Sequence, residues 1–467
     1  MEKREHFSKL GHVLVAAGSA VGLGNIWKFP TLAGQNGGGI FILFYLFFVL
    51  VVGVPLILGE STIGRYAQKG PVDAYHNIAA ECGQKGFSLK FWTFLGFTGA
   101  FANFIILCYY SVIAGWILQY CIKVLLVPLN EMDMALFGAS ISSYVTPIVY
   151  ALVFLAVTIY IDVKGITAGV EKCSKFLMPL LIVLLIVCAV CSLSLPGSIE
   201  GVKYMLIPNT NNAVNAGSMG YVALAALGQC FFSLSLGTGQ MITLGSYLGK
   251  DSKLASQSYG IPAVDTGVAL LAGFVTLPAV FAVASVTGID PTSQTGPGML
   301  MYALPQSLYA AFGSTFGTII AFLMFLLVCF AALTSTTSMV TVTASYLEEY
   351  KHVEHRKATI GIGLGVAVVS VICSLSNTPL LDSITFGGMN IQDSLDWFIS
   401  NLLMPFGAFF MCVFIGYIWK AQNAIKEITN DGTVKFSWAT GFKWIMMVVD
   451  PLIILVVFLS GIGILKF

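Results

Sequence analysis

Eleven apolar stretches follow one another along this chain, separated by shorter polar connectors. They fall near 9–34, 38–64, 91–122, 144–161, 171–193, 219–248, 260–284, 316–347, 358–375, 396–419 and 443–463. A helix needs ~20 apolar residues to cross a bilayer, so the pattern predicts eleven transmembrane helices and an all-α polytopic membrane protein. Length alone would point elsewhere, because 467 residues would make about three soluble domains at ~150 residues each. Composition rejects that reading. The chain is 57% hydrophobic and 10% charged, against roughly 25% charged for an average soluble domain. The first stretch follows Lys3, Arg4 and Lys9 and runs on through GLGNIWKFP without a small-residue cleavage site, which predicts a retained helix rather than a removed signal.

Charge orients the bundle. With the N-terminus in the cytoplasm, the tail and connectors 65–90, 162–175, 250–257, 350–357 and 420–443 collect nineteen Lys and Arg residues. Only Lys28, Lys123, Lys203 and Lys466 fall on the other side, which instead carries Glu131, Asp133, Glu200, Asp290, Asp382, Asp393 and Asp396. This asymmetry satisfies the positive-inside rule. It predicts a multi-pass protein of the cell (inner) membrane with a cytoplasmic N-terminus and an extracytoplasmic C-terminus. The longest outer pieces, 194–218 and 285–315, could form short lids or simple connections. A net charge of +1 excludes a basic nucleic-acid surface. The ten cysteines lack metal-ligand spacing and mostly lie in apolar runs, where thiols pack as small hydrophobes.

Two stretches are interrupted. Residues 18–25 read GSAVGLGN and residues 233–240 read SLSLGTGQ. Each interior glycine costs a helix about 1 kcal/mol, and glycine clusters in membranes often mean tight packing, as expected for GIGLG at 361–365. These two clusters also carry Ser19, Asn25, Ser233, Ser235 and Thr238, and they lie five spans apart. Interrupted segments at matching positions of two halves mark the ligand site of inverted-repeat transporters. Broken helices expose N–H groups suited to a carboxylate and carbonyl oxygens suited to a small hard cation. In AALTST at 331–336, Thr334 and Ser335 share a helical face with the Ala331 carbonyl. Asp265, inside GIPAVDTGVALL, is an intramembrane carboxylate that needs a partner; a cation near Asn25 and Ser233 would serve.

With these residues in place, the chain resembles the neurotransmitter:sodium symporter family, in its prokaryotic LeuT-like branch. GSAVGLGNIWKFP, NGGG at 36–39, GRY at 64–66, CYY at 108–110, GQCFFSLSLGTG and AALTST carry the resemblance in order, from KREHF to about residue 420. It implies the LeuT fold: two five-helix inverted repeats, 1–193 and 194–420, followed by a cytoplasmic loop and eleventh span at 421–467, with helices 1 and 6 unwound at the midplane. It also implies two sodium ions. One would be held by the Ala20 carbonyl, Asn25, Ser233, Asp265 and the substrate carboxylate. The other would be held by the carbonyls of Gly18, Val21 and Ala331 with the hydroxyls of Thr334 and Ser335. Tyr110 would bind the substrate carboxylate and Phe232 would close over the pocket. Ser19, Ala20, Gly22, Gly24, Ile106, Ser233, Ser235, Thr238, Ser335 and Met339 complete the implied substrate set.

Several positions depart from the family pattern. Lys28 replaces the usual outer-gate arginine and is expected to face Asp396 without the bidentate fork. On the cytoplasmic side Arg4 is expected to pair with Glu349. Asp265 stands where Asn is common, and Ala269 replaces a serine of the family's anion site, of which Tyr45, Gln229 and Ser233 remain. A fixed carboxylate makes an anion redundant, so transport is expected to be chloride-independent. Gly22, where amine-selective relatives carry Asp, favours a neutral α-amino acid, and Thr238 leaves room for an aromatic or large aliphatic side chain. The reading is therefore a sodium-coupled amino-acid symporter, not an enzyme, in a lipid bilayer with no obligate protein partner. A channel would want a continuous polar stripe or charged rings, whereas the polar residues cluster at one level. A transporter-like amino-acid sensor is the other alternative.

Overall fold

The computed structural model describes residues 6–287 and 299–465. Among the described residues, eight helices are long and apolar enough to cross a membrane: Gly39–Ala67, Gly86–Leu126, Ile166–Leu193, Leu254–Ala282, Phe312–Tyr350, His355–Leu375, Ile391–Ile418 and Ala439–Gly461. The first predicted span is a bent pair, Leu10–Ala20 with Gly24–Gln35, at 54°. The sixth is split into Met219–Ser233 and Gln240–Gly245. The fourth, Thr146–Asp162, is entered through a short helix, Met134–Ile141, lying at 72° to it. Each apolar stretch of the sequence is thus helical, and the first and sixth are the two interrupted ones.

The differences lie at the ends. The third span runs for 41 residues, ~60 Å at 1.5 Å per residue, about twice the hydrocarbon thickness, so its polar ends stand clear of the apolar layer. The 194–218 piece folds as Ser198–Leu206 and Thr210–Asn215, while much of the 285–315 piece lies outside the described residues. The connectors read as loops at 65–90 and 420–443 each hold a helix, Pro71–Glu81 and Ala421–Ile428. All ten cysteines are free of disulfides. Gly363 of GIGLG packs closely on the fourth span, where an added Cβ would meet Ile159 at 2.8 Å, while Gly361 faces open space.

Proline shapes the spans in a regular way. Five widened, π-type turns, Gly24–Lys28, Val49–Gly53, Met299–Ala303, Ile399–Leu403 and Ile445–Val449, each end two residues before a proline: Pro30, Pro55, Pro305, Pro405 and Pro451. Proline lacks an N–H and its ring collides with the carbonyl four residues back. One extra residue in the turn relieves the collision without breaking the rod. In the last case the carbonyl left over, that of Met447, accepts the Tyr417 hydroxyl at 2.9 Å.

The third span is the most enclosed, with 72% of its apolar window inside the fold, and the eleventh the least, with 22%. The eighth span packs along the third more extensively than any other pair of described helices does, and the two broken spans lie against this pair. Asn103 of the third span holds the Thr238 carbonyl of the sixth, and Ser335 of the eighth holds the Val21 carbonyl of the first.

Candidate substrate and ion site

The first span ends its regular ladder at Ala20. Beyond it the amides turn to side chains: Gly22 N donates to Asn25 Oδ1 at 3.0 Å and Leu23 N to the Tyr110 hydroxyl at 3.0 Å. Asn25 N bonds back to Gly22 O. The amides that would ordinarily serve the carbonyls of Gly18, Ser19 and Val21 are thus engaged elsewhere. Glycine is required here by space. A Cβ on Gly22 would lie 2.6 Å from both Ser335 Oγ and Tyr110 OH, and one on Gly24 would lie 2.9 Å from Phe232 Cδ1.

The sixth span breaks differently. Ser235, Gly237 and Gly239 adopt left-handed φ of 52°, 78° and 70°, which glycine adopts without penalty and serine does not. The freed groups are taken up by neighbouring helices. Gly237 N and Met241 N donate to the two oxygens of Glu60 at 2.9 and 3.1 Å, and Asn103 Nδ2 donates to Thr238 O at 2.9 Å. Glu60 is buried in the second span. It went unread in the sequence, although the rule that singled out Asp265 applies equally to it.

Two oxygen clusters result. In the first, Ser335 Oγ lies 3.4 Å from Gly18 O, 3.2 Å from Val21 O and 3.2 Å from Ala331 O, while Thr334 Oγ1 lies 3.0 Å from Ala331 O. All five residues expected to bind one cation therefore converge. A hydroxyl carries one proton and can satisfy one of those carbonyls at a time, so the cluster is short of donors. That is the condition a small cation relieves.

The second cluster is built on a carboxyl group. Asn25 Nδ2 donates to Asp265 Oδ1 at 2.7 Å, to Asp265 O at 3.0 Å and to Ser233 Oγ at 3.1 Å. Asp265 Oδ2 accepts from Ser233 Oγ at 2.8 Å and from the Tyr45 hydroxyl at 3.3 Å. All four residues are buried. The Asn25 NH2, not its oxygen, faces the Asp265 carboxylate, because Oδ1 accepts from Gly22 N; a cation here would need that amide reversed and the Gly22 N–H given another acceptor. Gln229, grouped with Tyr45 and Ser233 by sequence, gives its amide to Gly24 O at 2.7 Å. The donors an anion would need are thus directed at protein acceptors.

A small cavity of ≈ 30 Å³ lies beside the first cluster and shares Ser335 with it. Ser19, Ala20, Gly22, Gly24, Ile106, Tyr110, Phe232, Ser235, Thr238, Ser335 and Met339 line it as expected, and Leu23, Gln240 and Met404 join them. Ser233 belongs instead to the Asp265 cluster. The room anticipated beside Thr238 is not present in a cavity this small. The Thr238 hydroxyl bonds Ser235 O at 2.8 Å, so a large side chain would have to displace neighbours such as the flexible Met339 and Met404.

Above this cavity stands a vestibule of ≈ 490 Å³, sharing Leu23, Tyr110 and Phe232 as its floor. Lys28 and Asp396 both line the vestibule, but no ion pair joins them among the described residues. The Lys28 ammonium sits 3.8 Å from the Phe232 ring centroid, where a point charge is attracted by the aromatic face. At the opposite end Arg4 lies outside the described residues, and Glu349 accepts from Gly70 N at 2.7 Å. A contact there unread in the sequence is Ser8, which caps the first helix and donates to Glu171 at 2.7 Å.

The model of the sodium:neurotransmitter symporter family matches residues 4–132 and 133–466. A sodium-dependent transporter of Bacillus subtilis, YhdH, is 36% identical over 98% of both chains. A sodium-dependent transporter of Haemophilus influenzae is 33% identical over 97% of both. The sodium- and chloride-dependent taurine transporter of Rattus norvegicus is 25% identical over 94% of this chain and 76% of its own. Among solved structures, MhsT in complex with L-phenylalanine superposes with a TM-score of 0.86 at 36% identity, covering 98% of this chain and all of that one.

Proposed function

This chain belongs to the sodium:neurotransmitter symporter family, and we propose that within it the protein imports a neutral α-amino acid, aromatic or large aliphatic, by alternating access. Sodium-coupled transport of an amino-acid-like substrate follows from the family, and the fold is that of its LeuT-like members. The ion-binding part of the reading is carried by one observation: the carbonyls of Gly18 and Val21, whose helix amides are engaged elsewhere, share the single proton of the Ser335 hydroxyl with Ala331 O.

In this reading a sodium ion supplies the missing positive charge there, held by those oxygens and Thr334. A second is held by Ala20 O, Asn25, Ser233 and Asp265. The substrate carboxylate lies against the second ion and the Tyr110 hydroxyl, and it takes the place of the present side-chain acceptors of the Gly22 and Leu23 amides. A carboxylate touching a sodium ion makes each bind better with the other, which is coupling in the linkage sense. Phe232 closes the site. The first and sixth spans then move against the third, fourth, eighth and ninth, with 1–193 and 194–420 as the inverted repeats. Each sodium ion contributes ~2.3 kcal/mol per 100 mV, besides its concentration gradient. The clustering of Lys and Arg on one set of connectors supports a cytoplasmic N-terminus in the cell membrane. The L-phenylalanine bound to MhsT supports an aromatic substrate, and Gly22 leaves the carboxylate its place.

Chloride independence rests on Asp265, which already supplies the negative charge an anion would bring. Uptake of labelled L-phenylalanine into proteoliposomes tests both points. The expected result is accumulation driven by an inward sodium gradient, at the same rate when gluconate replaces chloride. Binding without accumulation would favour a sensor, and loss of uptake in gluconate would remove the role given to Asp265.

A further inference from the structure

A second large cavity, ≈ 390 Å³, opens between the sixth, tenth and eleventh spans, behind the wall that carries Phe232. We propose that it binds a zwitterionic aminophospholipid of the bilayer, phosphatidylethanolamine in kind. Three features give the crevice this chemistry. Its long wall is apolar, formed by Tyr221, Leu224 and Val457, and Tyr221 is half exposed on the rim, so an acyl chain can enter sideways from the lipid.

The crevice also holds two opposite charges that do not neutralise each other. Lys28 and Asp396 both line it. The Lys28 ammonium rests on the Phe232 ring, and Asp396 accepts the Ser400 hydroxyl at 3.4 Å. A headgroup with a phosphate for Lys28 and an ammonium for Asp396 satisfies both with charge-assisted bonds.

Gln229 is the third feature. It lines the crevice, is 1% exposed, and its Oε1 has no hydrogen-bond partner. An unpaired buried acceptor calls for an N–H donor. A primary ammonium offers three such donors, whereas the quaternary ammonium of phosphatidylcholine offers none. Lys28, Phe232 and Asp396 also wall the vestibule, so a seated headgroup holds apart the two charges that would otherwise meet across its mouth.

The test is lipid retention. The full chain is reconstituted in nanodiscs of equal phosphatidylethanolamine, phosphatidylcholine and phosphatidylglycerol, and the lipids that stay bound after extraction are counted by native mass spectrometry. Phosphatidylethanolamine should be retained about tenfold over phosphatidylcholine. Gly228→Leu should return that ratio to the bulk value, because Gly228 lines the crevice and a Cβ there meets nothing within 4 Å. Ser460→Leu fills the same crevice from the eleventh span and serves if the first variant is not recovered folded. Equal retention of the two zwitterionic lipids by the wild type would overturn the proposal. Preferential retention of phosphatidylglycerol, or enrichment that survives both fillings, would overturn it equally.

Discussion

The two interrupted spans look alike in sequence and are built on opposite principles. The first break turns through an extended Val21 (φ −69°, ψ 104°) without left-handed φ and needs its glycines for clearance, with Tyr110, Ser335 and Phe232 pressed to within 2.6–2.9 Å of where a Cβ would stand. Its loose carbonyls face the cavity and the neutral oxygen cluster. The sixth break takes its glycines for handedness, at Gly237 and Gly239, with Gly237 needed for clearance from the Met404 backbone as well, and gives its freed amides to Glu60. One break is therefore left open for ligands. The other is pinned to neighbouring helices and contributes the lid, Phe232, and one hydroxyl, Ser233. Unwinding a helix in lipid is tolerated only when the freed groups find partners; here protein supplies them on one side and ions and substrate on the other.

Substitutions at matched positions separate the two roles. The largest effect belongs to Gly237→Ala, whose Cβ would lie 2.2 Å from the Met404 backbone oxygen at a φ of 78°. Folded protein should be lost, seen as aggregation in size-exclusion chromatography. Gly22→Ala meets only side-chain atoms, Ser335 Oγ and Tyr110 OH, and should give folded protein that no longer binds amino acid. If both variants unfold, or neither does, the distinction between the breaks fails.

Next in size is Ser335→Ala. It leaves the carbonyls of Gly18, Val21 and Ala331 without their shared hydroxyl and should weaken apparent sodium affinity roughly 10–100-fold, corresponding to ~1–3 kcal/mol. Sodium titration of substrate binding measures it. The smallest is Glu60→Gln, which keeps one acceptor oxygen and loses the second along with the charge. It should lower thermal stability by ~1–2 kcal/mol while leaving apparent sodium affinity within about threefold, a change under ~1 kcal/mol. A sodium defect as large as that of Ser335→Ala would mean that the sixth break shares the ion-binding role.

Much of this could be read from the chain. Glycines grouped with Ser and Asn inside apolar runs located both breaks, and the carboxylate of Asp265 announced its cluster. Glu60 announced itself in the same way but lies in a run so apolar that its partner, a backbone turn 177 residues away, left no local trace. The prolines at 30, 55, 405 and 451 lie inside apolar stretches, but their widened turns do not follow from the missing N–H alone, since Pro179, Pro262 and Pro278 sit inside helices without one. Side-chain direction was not legible. Lys28 has the reach to meet Asp396 and lies instead over Phe232, and Gln240 and Met404 enter the cavity through packing that spacing does not encode. Local chemistry is written in the sequence, whereas a choice between two distant partners depends on the assembled bundle.

Equilibrium binding of labelled L-phenylalanine to the purified protein, in sodium and with choline in its place, tests the shared site of ion and amino acid most directly. The account predicts that affinity falls by about two orders of magnitude in choline, a coupling of ~3 kcal/mol, and that added amino acid raises sodium affinity by the same factor. An affinity that is the same in both salts would contradict it.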